Sequence, residues 1–292
     1  MTRINVTRTF LPPMEEYEEY LKKIWESGQL TNQGPLVLDL QEKLKKHLNV
    51  DDMHFVTNGT IALQVAIEAL GIEEGEIITT PFSYVATTSA ILWQRCKPVF
   101  VDIEPDTFCI DADKIEGAIT DKTKAILAVH VFGFPCVIEK IEEIAKRHNL
   151  KVIFDGAHSF GAKYKGKSLL SYGDISMCSF HSTKLFHTIE GGCIIAKDPE
   201  ISRKIELVKR FGHDLDEHTM LGINAKASEF QAAMGLCNLK YVDKAISGRK
   251  RVTDLYDKLL GAKFKLPVVQ KDTERNYAYY PLVADSEDQL LG

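Results

Sequence analysis

From residue 54 onward, short apolar runs alternate with stretches patterned as helices, and this alternation constrains the fold more than any other feature of the chain. The runs at 54–56, 76–80, 98–103, 125–131, 151–155, 175–180 and 193–196 read as strands. Between them, Leu63, Ala66, Ile67 and Leu70 form one helical stripe closed by Gly71, and Val137, Ile141, Ile144 and Ala145 form another. Parallel strands need crossovers long enough to hold a helix, and the helices then cover both faces of the sheet. The expected class is therefore α/β, with a mainly parallel sheet sandwiched by helices.

The flanks read differently. Tyr17, Leu21 and Ile24 mark one opening helix and Val37, Leu40, Leu44 and Leu48 a second, separated by the turn-rich Thr31-Asn32-Gln33-Gly34-Pro35. After Pro199 one helix runs to about Arg210. A long one then carries Phe230, Ala233, Met234, Cys237 and Tyr241 and continues towards Leu260. The tail at 276–284 reads as a strand. These patterns divide the chain into a large unit, 1–240, and a smaller C-terminal α/β unit, 241–292, with the boundary inside 230–250. Because Leu290-Leu291-Gly292 follows that last strand so closely, the smaller unit is expected to be truncated or completed by a neighbouring chain, since an unpaired strand edge invites association.

Composition narrows the function. Hydrophobic residues make up 45% and charged residues 26% of the 292, which suits a folded globular protein. The formal net charge is −5 and no basic run stands out, so nucleic acid is not an expected partner. Six dispersed cysteines include no Cys-x-x-Cys pair, which argues against zinc and disulfide frameworks, and no metal is expected. Residues 1–6 lack the apolar core of a signal peptide and no stretch has the apolar length of a membrane span, so the cytoplasm is the expected location.

In a parallel α/β sheet, ligands bind beyond the carboxyl ends of the strands. Thr57-Asn58-Gly59-Thr60 leads from a strand into a helix, where free N–H groups suit an anion such as phosphate; the plainer reading is a helix cap by Thr57 or Asn58. Asp155, in Phe154-Asp155-Gly156-Ala157-His158, ends an apolar strand and needs a partner there, or else caps the following turn. One helical turn would bring His158 back beside it. Lys184 sits in Ser179-Phe180-His181-Ser182-Thr183-Lys184, on a connection that runs through Glu190-Gly191-Gly192 into the next strand. An amine, a phosphate-binding turn and a strand-end carboxylate are the groups pyridoxal phosphate requires: one to bond its aldehyde, one for its phosphate, one to keep its ring nitrogen protonated.

Taken with Pro81-Phe82-Ser83-Tyr84-Val85-Ala86-Thr87 and Phe100-Val101-Asp102-Ile103, these segments in this order resemble the DegT/DnrJ/EryC1/StrS family of sugar aminotransferases, pyridoxal phosphate enzymes of fold type I. The resemblance runs from about Leu11 to the end. It implies that Lys184 carries the cofactor and then moves the proton between cofactor and substrate carbons, with Asp155 on the ring nitrogen and His158 near the ring or its phenolic oxygen. It assigns Gly59, Thr60 and Ser179 to the phosphate and Tyr84 to the ring face, where a core aromatic is the competing reading. Leu221-Gly222-Ile223-Asn224 resembles the family's Gly-x-Asn segment, whose Asn reaches a phosphate in the neighbouring subunit, which implies a homodimer with shared sites. The implied reaction passes an amine from glutamate, through pyridoxamine phosphate, to a keto group on a nucleotide-linked hexose. Leu11-Pro12-Pro13, Ile24-Trp25 and Leu30-Thr31-Asn32 resemble the members that aminate dTDP-4-keto-6-deoxyglucose at C4, for surface polysaccharide or amino-sugar synthesis.

Beyond Asn224 the chain departs from the family, with Ala225-Lys226 where an aromatic residue and an Arg are usual. Lys supplies the charge without the two-pronged geometry of Arg. Two alternatives differ in class: a sugar dehydratase of the same family, in which His replaces the cofactor lysine and against which Lys184 argues, and a truncated, non-catalytic binder of pyridoxal phosphate.

Overall fold

The computed structural model describes residues 8–287; residues 1–7 and 288–292, which include the polar opening and Leu290-Leu291-Gly292, lie outside the described residues. Helices α1 (Met14–Ser27) and α2 (Pro35–Leu48) lead into β1 (His54–Val56), α3 (Gly59–Ala69), β2 (Glu76–Thr79), α4 (Val85–Trp93) and β3 (Lys97–Phe100). There follow α5 (Ala112–Ile115), β4 (Thr123–Val129), α6 (Ile138–Arg147), β5 (Lys151–Asp155), the small strands β6 (Lys163–Tyr164) and β7 (Lys167–Ser168), then β8 (Ile175–Ser179) and β9 (Gly192–Ala196). The chain continues through α7 (Pro199–Val208), β10 (His213–Asp214), β11 (Glu217–His218), α8 (Glu229–Leu239), α9 (Val242–Leu260) and β12 (Thr273–Glu274).

The seven strands expected from the apolar runs assemble into one sheet in the order β1-β9-β8-β5-β4-β2-β3. Neighbours from β8 to β3 are parallel, while β9 runs antiparallel to both β8 and β1. Side chains alternate across it. Ile77 and Val56 join Leu63, Ile67 and Ile205 of α3 and α7 on one face. Ile78 packs with Ile141 and Ile144 of α6, and Phe55 with Leu40 and Leu44 of α2, on the other. No described helix is long and apolar enough to cross a membrane.

Two elements differ from the sequence reading. The long helix expected to continue past Tyr241 is broken at Lys240-Tyr241 into α8 and α9, and at the break the Tyr241 hydroxyl and the Lys240 ammonium both reach Glu16 on α1. The strand expected at 276–284 does not form. Asn276 is buried and its Nδ2 donates to the carbonyls of His158 (2.7 Å) and Phe160 (2.9 Å). Tyr277 then takes a left-handed φ of 55°, which ends any extended run, and Val283 alone makes an isolated bridge, to Lys265. The pairing in this region is instead made by β12, which adds to β6 and β7 in a three-stranded sheet.

Candidate active site

The carboxyl ends of β1, β2, β4, β5 and β8 lie along one edge of the sheet, so the residues just beyond them meet. All eight residues singled out in the sequence, Gly59, Thr60, Tyr84, Asp155, His158, Ser179, Lys184 and Asn224, line a single cavity of about 1100 Å³.

At its floor, β5 delivers Asp155, which is buried. Its Oδ2 accepts from Thr87 Oγ1 of α4 (2.8 Å) and its Oδ1 from the Ala157 N–H (3.0 Å). Burial pushes its pKa up; the Ala157 and Thr87 donors and the positive Lys184 pull it back down. The turn-capping reading of Asp155 thus holds through Ala157, but the carboxylate also serves the cavity. No helix starts at 155–158, contrary to the sequence reading. A tight turn closed by Ser159 N–H on Gly156 O (2.8 Å) sends His158 away to Phe132, whose N–H donates to Nδ1 (3.2 Å), and to the Tyr279 ring, 4.4 Å between centroids. Burial first, then the Lys184 charge, depresses the His158 pKa to about 3, so the ring is neutral at physiological pH with its proton on Nε2.

Lys184 belongs to the connection between β8 and β9. That loop is pinched by Phe180 N–H on Gly191 O (2.8 Å) and Thr188 N–H on Phe180 O (2.9 Å), and the Lys184 N–H donates to His181 O (2.9 Å). Burial lowers the ammonium's pKa, opposed by Asp155 and Cys178. A lysine held this way gives up its proton more readily than one at the surface, which suits an amine that must act as nucleophile and base.

At the start of α3, Asn58 is the cap, its Oδ1 accepting from the Ile61 N–H (2.8 Å), so the plain reading of this turn is correct as far as it goes. It leaves room for the other reading, because the N–H groups of Gly59 and Thr60 precede the capped one. Gly59 packs tightly there: a Cβ would lie 3.0 Å from both Met177 Cε and Ser179 Cβ. This close approach brings the Ser179 hydroxyl beside the helix start, a cradle of donors of the kind a phosphate ester occupies. With a buried carboxylate and a lysine in the same space, the residues present fit pyridoxal phosphate.

Tyr84 is 78% exposed at the mouth, so it is not a core aromatic. Asn224 lines the cavity of its own chain, with Oδ1 held by Lys226 Nζ at 2.7 Å. Sequence reasoning assigned no role to Thr87, nor to Gln64, Trp93 or Glu190, which also line the cavity. Nothing local marks Thr87, since its partner lies 68 residues further along the chain.

A family model described as the DegT/DnrJ/EryC1/StrS aminotransferase family matches residues 13–291. The chain is 43% identical over 292 residues to a dTDP-4-amino-4,6-dideoxy-D-glucose transaminase of Shigella dysenteriae, covering 98% of this chain and 79% of the relative. An Escherichia coli protein of the same name is 44% identical over 287 residues, covering 97% and 77%. Among solved structures, DesI in the presence of its TDP-sugar product superimposes with a TM-score of 0.91 at 31% identity, over 97% of this chain and 73% of that one. With a family match over nearly the whole chain and relatives at 43% and 44% identity, the chain belongs to the DegT/DnrJ/EryC1/StrS aminotransferases, with the fold type I architecture of pyridoxal phosphate enzymes.

Proposed function

We propose that this sugar aminotransferase uses pyridoxal phosphate to move an amine from glutamate to the keto carbon of a nucleotide-linked deoxyhexose, dTDP-4-keto-6-deoxyglucose, in the cytoplasm. The observation that carries the reading is the convergence of Lys184, Asp155 and the Gly59–Ser179 cradle on one cavity. The sugar rests on the Shigella and E. coli relatives, whose names specify the 4-amino product.

Pyridoxal phosphate, when bound, supplies an aldehyde for amine exchange and a ring that accepts electrons. The chain's own residues do the rest. Gly59 and Thr60 N–H groups and the Ser179 hydroxyl would hold the phosphate, and Asp155 the ring nitrogen. Thr87 and Ala157 fix the Asp155 carboxylate by one hydrogen bond to each oxygen, so that it faces the cavity in one orientation. His158, neutral and oriented by the Phe132 N–H, offers a proton at Nε2 without bringing a second cation to the site. Lys184 Nζ, its proton affinity lowered by burial, would serve as the base that takes the proton from the amine-bearing carbon of the donor and, in the second half of the reaction, as the acid that protonates the sugar carbon receiving the amine.

The homodimer belongs to the same reading. Tyr84, Trp93 and Leu221 are 78%, 75% and 75% exposed around the cavity, and the nearby hairpin of β10 and β11 carries Leu215 at 88%. Apolar surface gathered at a polar cavity's mouth suits an interface, here with a second copy of the chain.

Purified protein mixed with pyridoxal phosphate should gain the visible absorbance of the bound cofactor, glutamate should bleach it with release of 2-oxoglutarate, and the loaded enzyme should then aminate dTDP-4-keto-6-deoxyglucose at C4. Lys184→Ala should lose both the band and the turnover. A wild-type protein that develops no band sinks the proposal; a band that glutamate leaves unchanged reduces it to passive binding.

A further inference from the structure

The tail that forms no strand at 276–284 grips His158 twice. Buried Asn276 commits its Nδ2 to the carbonyls of His158 (2.7 Å) and Phe160 (2.9 Å), while its Oδ1 accepts from the Ala278 N–H (3.1 Å). That last bond, with left-handed Tyr277 between its ends, bends the chain and brings the Tyr279 ring onto the His158 imidazole, 4.4 Å between centroids and inclined by 48°. From α9, Arg249 Nη1 donates to Ala278 O (2.8 Å) and holds the bend. The approach depends on Gly133, where a Cβ would lie 2.7 Å from His158 O and 3.1 Å from Asn276 Oδ1.

The imidazole needs this second support. Among the described residues its one hydrogen bond, from the Phe132 N–H to Nδ1, is 3.2 Å long; it fixes a nitrogen but not the plane of the ring, which can still pivot. The Phe132 ring is nearly parallel to the imidazole (9°) but 6.5 Å away, so Tyr279 supplies the close face. Rings in contact hold one another's orientation as well as excluding water. Tyr279 does not itself line the cavity, whereas His158 does, so its influence on what the cavity holds passes through His158. We propose that Tyr279 is a positioning residue: its ring, seated by Asn276 and Arg249, fixes the His158 imidazole with Nδ1 on the Phe132 N–H and Nε2 left to the cofactor. The proposal rests on reading the cavity as the site of pyridoxal phosphate.

The test compares the wild-type protein with Y279F, which keeps the ring, Y279L, which removes it, R249M, which loosens the bend from the surface of α9, and H158A alone and combined with Y279L. Imidazole nitrogen NMR of histidine-labelled protein without cofactor, with the His158 signals identified by their loss in H158A, reads which nitrogen carries the proton. Wild type and Y279F should show one neutral form, protonated at Nε2. Y279L and R249M should show that form mixed with the one protonated at Nδ1, because a ring that turns loses the Phe132 bond. Titrated with pyridoxal phosphate, Y279L should bind about five-fold more weakly, the factor one aromatic pair contributes, and Y279F within about two-fold of wild type. In the H158A background Y279L should add nothing. The proposal is overturned if Y279L keeps the single form of His158, if Y279F weakens binding as much as Y279L, or if Y279L costs the same affinity with His158 absent, the mark of general packing. Should Y279L melt at a lower temperature than wild type, an R249M protein with a single His158 form and wild-type affinity overturns it as well. A wild type that binds no pyridoxal phosphate overturns the reading of the cavity, while the spectra of the cofactor-free protein still decide whether Tyr279 orients His158.

Discussion

A carboxylate at the end of a buried strand is costly unless it has partners, and Asp155 shows how the chain supplies them. One donor, the Ala157 N–H, is two residues away; the other, Thr87 Oγ1, comes from α4. Removing the second leaves a buried acceptor with one bond fewer, so Thr87→Val should destabilise the protein, without added cofactor, by about 1–3 kcal/mol. The pH dependence has a definite sign. Asp155 has a raised pKa in the fold, so its contribution to stability is present in full below the ordinary carboxylate range and is lost as pH rises through the folded value. The Thr87 bond favours the charged form, and the penalty for Thr87→Val should therefore be larger at pH 8 than at pH 5. Urea midpoints at the two pH values check this; a penalty that is absent, or that grows towards acid, would contradict the account of Asp155.

Helix α2 shows how one element is terminated by another. Pro35 is its first residue, and the Gly34 that precedes it makes no side-chain cap. The missing cap comes from α8, where the buried Glu229 accepts from the N–H groups of Leu36 (2.9 Å) and Val37 (2.8 Å). A carboxylate at a helix N-terminus is favoured by both the free donors and the dipole. Gly34 is needed so that Glu229 can reach, since a Cβ there would lie 2.5 Å from Glu229 Cδ. Glu229→Ala should cost about 1–3 kcal/mol, by orphaning two buried donors. Gly34→Ala should also destabilise, and the two losses should not add, because the shorter side chain removes the clash. Chemical denaturation of the two single variants and the double variant tests this; simple additivity would refute the coupling.

For the whole molecule, the cavity and its apolar mouth are parts of one arrangement. Trp93 and Leu221 line the cavity and are mostly exposed in one chain, so pairing with a second copy would bury apolar surface and enclose the site together. Sedimentation should give a dimer at micromolar concentration, and Trp93→Glu should shift it towards monomer, because the introduced charge would be buried. A monomeric wild-type protein would rule out the shared-site reading.

The order of the elements and the chemistry at the strand ends were legible because both are local. An apolar run of three to seven residues reads as a strand wherever it lies, and parallel crossovers send the following loops to one edge. That is why Gly59, Asp155, Ser179 and Lys184 could be named from sequence and then found around one cavity. What sequence could not yield depended on residues far apart in the chain. Thr87 and Asp155, Glu229 and Leu36, Asn276 and His158 are pairs separated by 68, 193 and 118 positions, and no spacing rule reaches so far. The tail failed to read correctly for the same reason: its alternation suits a strand, but the Asn276 side chain gains more from two buried carbonyls, and Tyr277 turns the backbone away. Sequence alone determined the α/β class, the family and the reactive groups, since each is written in contiguous residues. Only the tertiary structure decided how those groups are oriented, by hydrogen bonds that exist once distant segments have packed.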